Sequence, residues 1–247
     1  MAKKKKKNNG ELLYETISVI IVFIVTLTIK TISIIYDAIT IYTSGYKQKS
    51  QKGFFKTYFD KGNYGEFKLY KKAVRQFGKP NVLTNIYLSH TTTDTTEIDV
   101  LAISKEGIYV FEMKNYNGYI FGSKNDENWT QVFHKNAKHK FYNPLRQNYA
   151  HTKALQNYLE IDDSKVIPVV VFSNYAKLSK INITDKEQVI QLKNLNRLIR
   201  KTRKVKTNVL SLEEKESYLK KLIERSCMPD EVKQKHIEQV NDLKIQK

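Results

Sequence analysis

The chain has 247 residues, enough for one compact domain with attachments and a real hydrophobic core. Its 43 Lys and Arg against 25 Asp and Glu give a net charge of +18. Only five of those charges lie in the lysine run at 3–7, so the body is itself basic and suits a polyanion, either nucleic acid or anionic lipid. The single cysteine, Cys227, excludes an internal disulfide and a cysteine-rich zinc site.

After the basic tail (1–10), residues 17–36 are apolar on all sides, interrupted only by Lys30. About 20 such residues span a bilayer, and Lys30 lies near enough to the end to snorkel. No small-residue cleavage motif follows, so a retained single-pass anchor over 11–42 is expected rather than a removable signal peptide. Lysines flank both ends, which leaves orientation open: the terminal run favours an internal amino end, and a DNA-acting body favours the cytoplasm. Residues 43–61, basic with Ser and Gln, read as a juxtamembrane linker that can also touch anionic lipid.

Asn63-Tyr64-Gly65-Glu66 reads as a helix start, with Asn63 as cap and Glu66 three residues on. Phe67, Tyr70, Val74 and Phe77 form its buried stripe, and Gly78-Lys79-Pro80 ends it. Glu66 then has a role as part of the cap, and it also adjoins the apolar stripe. Residues 81–90 make the first strand. Two arms, 97–103 and 107–114, follow around the turn Ser104-Lys105-Glu106-Gly107, as a hairpin rich in β-branched and aromatic residues.

If the turn centres on Lys105-Glu106, Ile103 faces Ile108, Leu101 faces Val110 and Asp99 faces Glu112. Lys114 shares Glu112's face through the pleat. Two carboxylates so close repel and lose hydration, which a divalent ion with oxygen ligands, Mg²⁺ or Mn²⁺, relieves. Lys114 can orient a water or stabilise phosphoryl charge beside it. The plain alternative is an edge hairpin with a Glu112–Lys114 ion pair and a solvated Asp99.

Asn117-Gly118 marks a turn, and 119–122 a further strand. Trp129 reads as a packing residue rather than a stacking platform. His134, Lys135, Lys138, His139 and Lys140, interleaved with Phe133 and Phe141, read as a basic loop suited to phosphate contact or simply to solvent. Asn143-Pro144 opens a helix, with Leu145, Tyr149, Thr152 and Leu159 toward the core and Gln147, His151, Ala154 and Tyr158 on an adjacent face. Residues 166–172 read as a buried strand that Pro168 pushes toward a sheet edge or a strand start. A strand at 188–192 and a short basic helix at 195–203 follow. Two helices, 212–225 and 231–244, form a C-terminal hairpin that packs on the body or on a second copy.

Asp99 followed by Glu112-Met113-Lys114 resembles the D…(D/E)xK signature of the PD-(D/E)xK nuclease superfamily. More closely, the ordered set Gly65-Glu66, Glu97-Ile98-Asp99, 111–118, Trp129 and Asn143-Pro144-Leu145-Arg146-Gln147 resembles the nuclease-related domain, NERD, over about 62–160. The resemblance implies an α/β fold, a mixed sheet flanked by helices that begins α-β-β-β, spanning 62–204, with a helical extension over 205–247. It implies phosphodiester hydrolysis of DNA, less readily RNA. Asp99 and Glu112 hold Mg²⁺ or Mn²⁺ with the Met113 carbonyl as a further ligand, Lys114 assists the water, and Glu66 and Gln147 position water or substrate. Lys135, Lys138, His139, Lys140 and Arg146 would contact nucleic acid. Related nucleases carry Q-x-x-x-Y where this chain has Gln147 and His151, so the role of that last position is open. The rival readings are a membrane-tethered module that binds nucleic acid with little or no turnover, and a structural membrane scaffold.

Overall fold

The computed structural model describes residues 9–89, 95–133 and 137–226. The expected second C-terminal helix, Cys227, most of the basic tail, and His134 with Lys135 lie outside them.

The apolar run belongs to one long helix, α1 (Asn9–Thr43), of 35 residues. At about 1.5 Å per residue it is longer than a bilayer core is thick, and its apolar window is wholly exposed on the protein. Its last turns behave differently. Asp37 and Ile41 are buried, and Ile41 belongs to the main core cluster.

The linker segment is structured. It holds two short helices, α2 (Tyr46–Ser50) and α3 (Phe54–Tyr58). Tyr46 is fully buried against Phe67 and Tyr70, because its ring fills the gap between α2 and the next helix. That helix, α4 (Lys61–Phe77), starts earlier than the capping pattern implies. Asp60, not Asn63, is the cap, and its carboxylate accepts the Asn63 amide at 2.7 Å. Glu66 is thereby freed from capping. Gly78, at φ 82°, closes the helix as expected.

The main sheet runs β1 (Val82–Ser89), β2 (Thr95–Ser104), β3 (Gly107–Lys114), then, after the excursion described next, β7 (Val166–Phe172) and β9 (Val189–Gln191), in that spatial order. The first three are antiparallel, and β7 and β9 join in parallel. Parallel pairing of β3 with β7 requires a crossover, which α5 (Pro144–Leu159) supplies, capped by Asn143 onto the Leu145 amide. Pro168 is therefore in an interior strand. It is tolerated because β9 pairs only with 170–172 and leaves the Pro168 end of β7 uncovered on that side.

Between β3 and α5 the chain makes β4 (Gly118–Ser123), β5 (Asn128–Val132) and β6 (Lys138–Tyr142), which with β8 (Ala176–Asn182) form a second sheet. Trp129 is the packing residue between the sheets, fully buried and stacked on Phe172 at 6.1 Å. The helices α4 and α6 (Leu195–Val205) cover one face of the main sheet. Helices α5 and α7 (Leu212–Ser226), with the second sheet, cover the other. On α5 the core side is Asn148, His151, Thr152, Leu155 and Leu159, whereas Tyr149 is 62% exposed, one position off the expected stripe.

Candidate active site

The hairpin register is as the turn dictates: Ile103 pairs Ile108 and Leu101 pairs Val110. The ladder's last pair, however, is Val100 with Phe111, so Asp99 and Glu112 are not paired across it. The cause lies one strand away. β1 and β2 pair as far as Thr84 with Val100 and resume at Ile86 with Ile98, leaving Asn85 opposite Asp99 outside the ladder. Asn85 has φ 54°, the left-handed region that Asn tolerates best among residues with a side chain. Both strands turn over there. Leu83 and Ile86, like Ile98 and Leu101, face the same core cluster although three residues apart.

This break places the Asp99 carboxylate where β2 and β3 part. It accepts the Met113 amide at 2.8 Å, and its own carbonyl accepts the Thr84 hydroxyl at 2.6 Å. Glu112, 1% exposed, is held on both oxygens. Lys114 Nζ stands 2.7 Å from Oε1, and His151 Nε2 2.9 Å from Oε2. Lys114 also donates to Gln147 Oε1 at 2.9 Å, which brings α5 into the site. The other ring nitrogen of His151, Nδ1, is 2.6 Å from the Thr96 hydroxyl. In the neutral ring, an Nε2 proton donated to the Glu112 carboxylate leaves Nδ1 to accept from the Thr96 hydroxyl.

Glu66 enters from α4 on the opposite face of the sheet. Its Oε2 is 2.9 Å from Lys52 Nζ, with both side chains about one-seventh exposed, 15% and 14%. Close approach of α4 to the end of β3 makes this possible. A Cβ at Gly65 would stand 2.6 Å from the Asn115 Cβ, so glycine is needed beside Glu66. Glu97 completes the group, accepting from the Asn85 amide.

The electrostatics show how crowded these acids are. Burial, then the Glu112 and Glu66 charges, push the Asp99 carboxyl well above its usual range. Burial, with Glu97 and Glu112 adding, raises Glu66 against the opposing pull of Lys52. Glu112 goes the other way: burial raises it, but Lys114 and the His151 hydrogen bond outweigh that and lower it. Lys114 and Lys52 are both raised, because neighbouring carboxylates overcome the cost of burying an ammonium.

Four carboxylates thus interact around two ammonium groups. Among the described residues no three His, Cys, Asp or Glu side chains form a ready-made metal cage. The two central side chains, Asp99 and Glu112, nevertheless offer only carboxylate oxygens, in a group where acids outnumber lysines. That composition fits Mg²⁺ or Mn²⁺, which bind through one or two carboxylates and keep their waters.

Of the expected residues, the fold brings together Asp99, Glu112, Met113, Lys114, Glu66 and Gln147. Lys138, His139 and Lys140 are not in a loop. They form the exposed edge strand β6, where lysines also discourage strand-to-strand aggregation. Arg146 donates to the Asn125 carbonyl at 2.7 Å and lines a separate cavity with Lys124, Lys153 and Lys186. Three contributors were missed: Lys52, Glu97 and the Glu112-holding role of His151. Glu97 had a weak signal in its two-residue offset from Asp99, and Lys52 had none.

A family model, the nuclease-related domain, matches residues 61–173, which take in every one of these positions except Lys52. An uncharacterized protein of Bacillus anthracis is 31% identical over 186 residues, covering 74% of this chain and 84% of that protein. No solved structure matches at a significant level. The chain belongs to the nuclease-related domain family, within the PD-(D/E)xK-like nuclease superfamily.

Proposed function

We propose that the protein is a membrane-anchored, Mg²⁺- or Mn²⁺-dependent phosphodiesterase acting on DNA. The observation that supports this most is the convergence of Asp99, Glu112 and Lys114 where β2 and β3 part, joined by Glu66 from one face and Gln147 from the other. Asp99 and Glu112 would hold the ion, with the Met113 carbonyl as a further ligand. When bound, such an ion neutralises phosphoryl charge and makes water a better nucleophile at neutral pH.

The chain's own groups supply positioning. Lys114, fixed by Glu112 and Gln147, places one ammonium where a phosphate oxygen or the attacking water would sit. Gln147 sets the direction of that ammonium. Glu66, kept beside Lys52, orients water or substrate from the α4 side. The exposed basic strand β6 provides non-specific phosphate contact at the rim of the second sheet. The apolar part of α1, exposed throughout on the protein, would cross the bilayer.

One observation favours a second reading, a nucleic-acid-binding module without turnover: both Glu112 oxygens already have partners. The full chain in detergent micelles, given circular and linear DNA with Mg²⁺ or Mn²⁺, separates the two. Cutting that needs the metal and disappears in Glu112→Ala and Lys114→Ala is expected. Salt-sensitive binding with no cutting by the unmodified chain overturns the enzyme reading in favour of the module.

A further inference from the structure

We infer that the aromatic face of α3 lies in the headgroup layer of a bilayer entered by α1, and so holds the catalytic site at the membrane surface. The inference rests on the proposal that α1 spans the bilayer. Phe55 and Phe59 are 75% and 73% exposed, with rings parallel at 6.1 Å. Two adjacent Phe rings in water form an apolar patch that soluble surfaces avoid. Phe54, stacked on Tyr58, packs its other side on the core, so the segment has one protein-facing and one outward-facing edge.

The position of this face is fixed by contacts with α1. Tyr58 stacks edgewise on Tyr64, and the Tyr64 hydroxyl donates to Asp37 Oδ2 at 2.8 Å. Lys71 Nζ donates to the other Asp37 oxygen at 2.5 Å, and Arg75 to the Tyr36 hydroxyl at 3.1 Å. α1 is therefore clamped to α4 at Tyr36–Asp37, where the apolar stretch 17–36 ends. Gly53, at the start of α3, lies beside the Tyr42 hydroxyl in the last turn of α1. The helix that carries the Phe pair is thus tied to α1 at Asp37 and Tyr42, at and just beyond the end of the apolar stretch.

The side chains there have the chemistry of that layer. Aromatic rings concentrate at membrane interfaces, and lysines beside them meet anionic headgroups. Lys47 stands over the Tyr42 ring at 4.9 Å and Lys68 over Tyr64 at 4.0 Å, with Lys56 between the two exposed Phe residues. Exposed aromatics with lysines also suit a stacking platform for single-stranded nucleic acid. The covalent and packed continuity with α1 favours lipid. Lys52, immediately before Gly53, reaches Glu66, so whatever level α3 takes is passed directly to the site.

The test uses the full chain in liposomes containing phosphatidylglycerol, with lipids brominated at shallow or deep acyl positions. Phe59→Trp reports on α3 and Phe23→Trp on the middle of α1. The natural Trp129, buried in the core, gives the background that the unmodified chain measures. Expected is a blue-shifted Phe59→Trp signal that shallow bromines quench more than deep ones, while deep bromines quench Phe23→Trp. If Phe23→Trp is quenched and Phe59→Trp is indistinguishable from background, the inference is overturned and the anchor stands. If neither is quenched, the anchor reading fails and the inference with it. Loss of Phe59→Trp emission only on adding single-stranded DNA assigns the face to nucleic acid and equally overturns the proposal.

Discussion

Replacing Lys52 with Met removes one ammonium from beside four carboxylates while keeping most of the apolar stem. The surviving Glu66 charge would then face Glu97, Asp99 and Glu112 in a largely buried position. Breaking a buried pair by removing one partner costs about 3–5 kcal/mol when the other charge cannot escape. Glu66 can escape by taking a proton. At pH 7 that exit limits the loss to about 3.7 kcal/mol, the cost of holding a proton on a carboxyl of ordinary pKa. At pH 5 the same ceiling falls to about 1 kcal/mol.

The sign follows from the direction of the shift. Glu66 already has a raised folded-state pKa, so it costs stability above its unfolded value, and the cost grows as pH rises. Lys52→Met raises that pKa further, so the added cost appears toward neutral pH and fades toward pH 5. Thermal unfolding of the full chain in detergent should show a fall of about 4–12 °C at pH 7, taking a loss of about 2–3 kcal/mol and about 2–4 °C per kcal/mol. At pH 5 the fall should be about 4 °C or less. In a Glu66→Gln background the same substitution should lose most of its effect. An equal drop at both pH values, or none at either, would show that Lys52 does not serve this carboxylate.

Two further substitutions probe the supports of the site. His151→Leu strips a hydrogen bond from buried Glu112 and another from Thr96. It should cost about 1–3 kcal/mol for each group left unpaired, and about 10–100-fold in Mn²⁺ affinity by calorimetric titration. His151→Tyr, which restores a hydroxyl donor toward Glu112, should recover most of the affinity. Lys71→Met abandons Asp37, which is 3% exposed, to the Tyr64 hydroxyl alone. It should lower stability by up to about 4 kcal/mol at pH 7, the limit at which Asp37 takes a proton instead, and Asp37→Asn in the same chain should restore part of that, as read by thermal unfolding.

The Glu112–Lys114 half of the candidate site is legible in the sequence because it depends on local rules. A turn sets the hairpin register, and a two-residue pleat puts Lys114 beside Glu112. The Asn-Pro start places Gln147 in the first turn of a helix, but only the resemblance to the nuclease-related domain points to it as a site residue. The hydrophobic runs likewise mark β3 and β7, and Trp129 as core. What stays hidden is whatever depends on distant segments meeting. Asn85 looks like an ordinary strand residue, yet its left-handed backbone turns two strands over and releases Asp99 from the ladder. Lys52 lies in a stretch whose composition reads as a linker, and burial of Tyr46, with Lys49 donating to the Lys79 carbonyl, folds that stretch back onto the domain.

The hidden and visible residues share one physical feature. Each sits where a rule that holds elsewhere in the fold is broken: a missing ladder pair, a helix glycine with no room for a Cβ, acids facing acids. Most other buried positions of the main sheet are filled with Val, Ile, Leu and aromatic side chains, with a few neutral polar residues such as Thr84 and Thr96. Clustering acids where burial and neighbouring carboxylates push Glu66 and Asp99 up works against stability. Two lysines, Lys52 from ahead of the matched domain and Lys114 from its middle, only partly offset it. Such a cost is tolerated where a bound cation or a phosphate chain changes the balance, since local violations concentrate at functional sites. The crowding of these acids beyond what Lys52 and Lys114 offset, added to the motif, is the physical support for the proposed metal site where β2 and β3 separate.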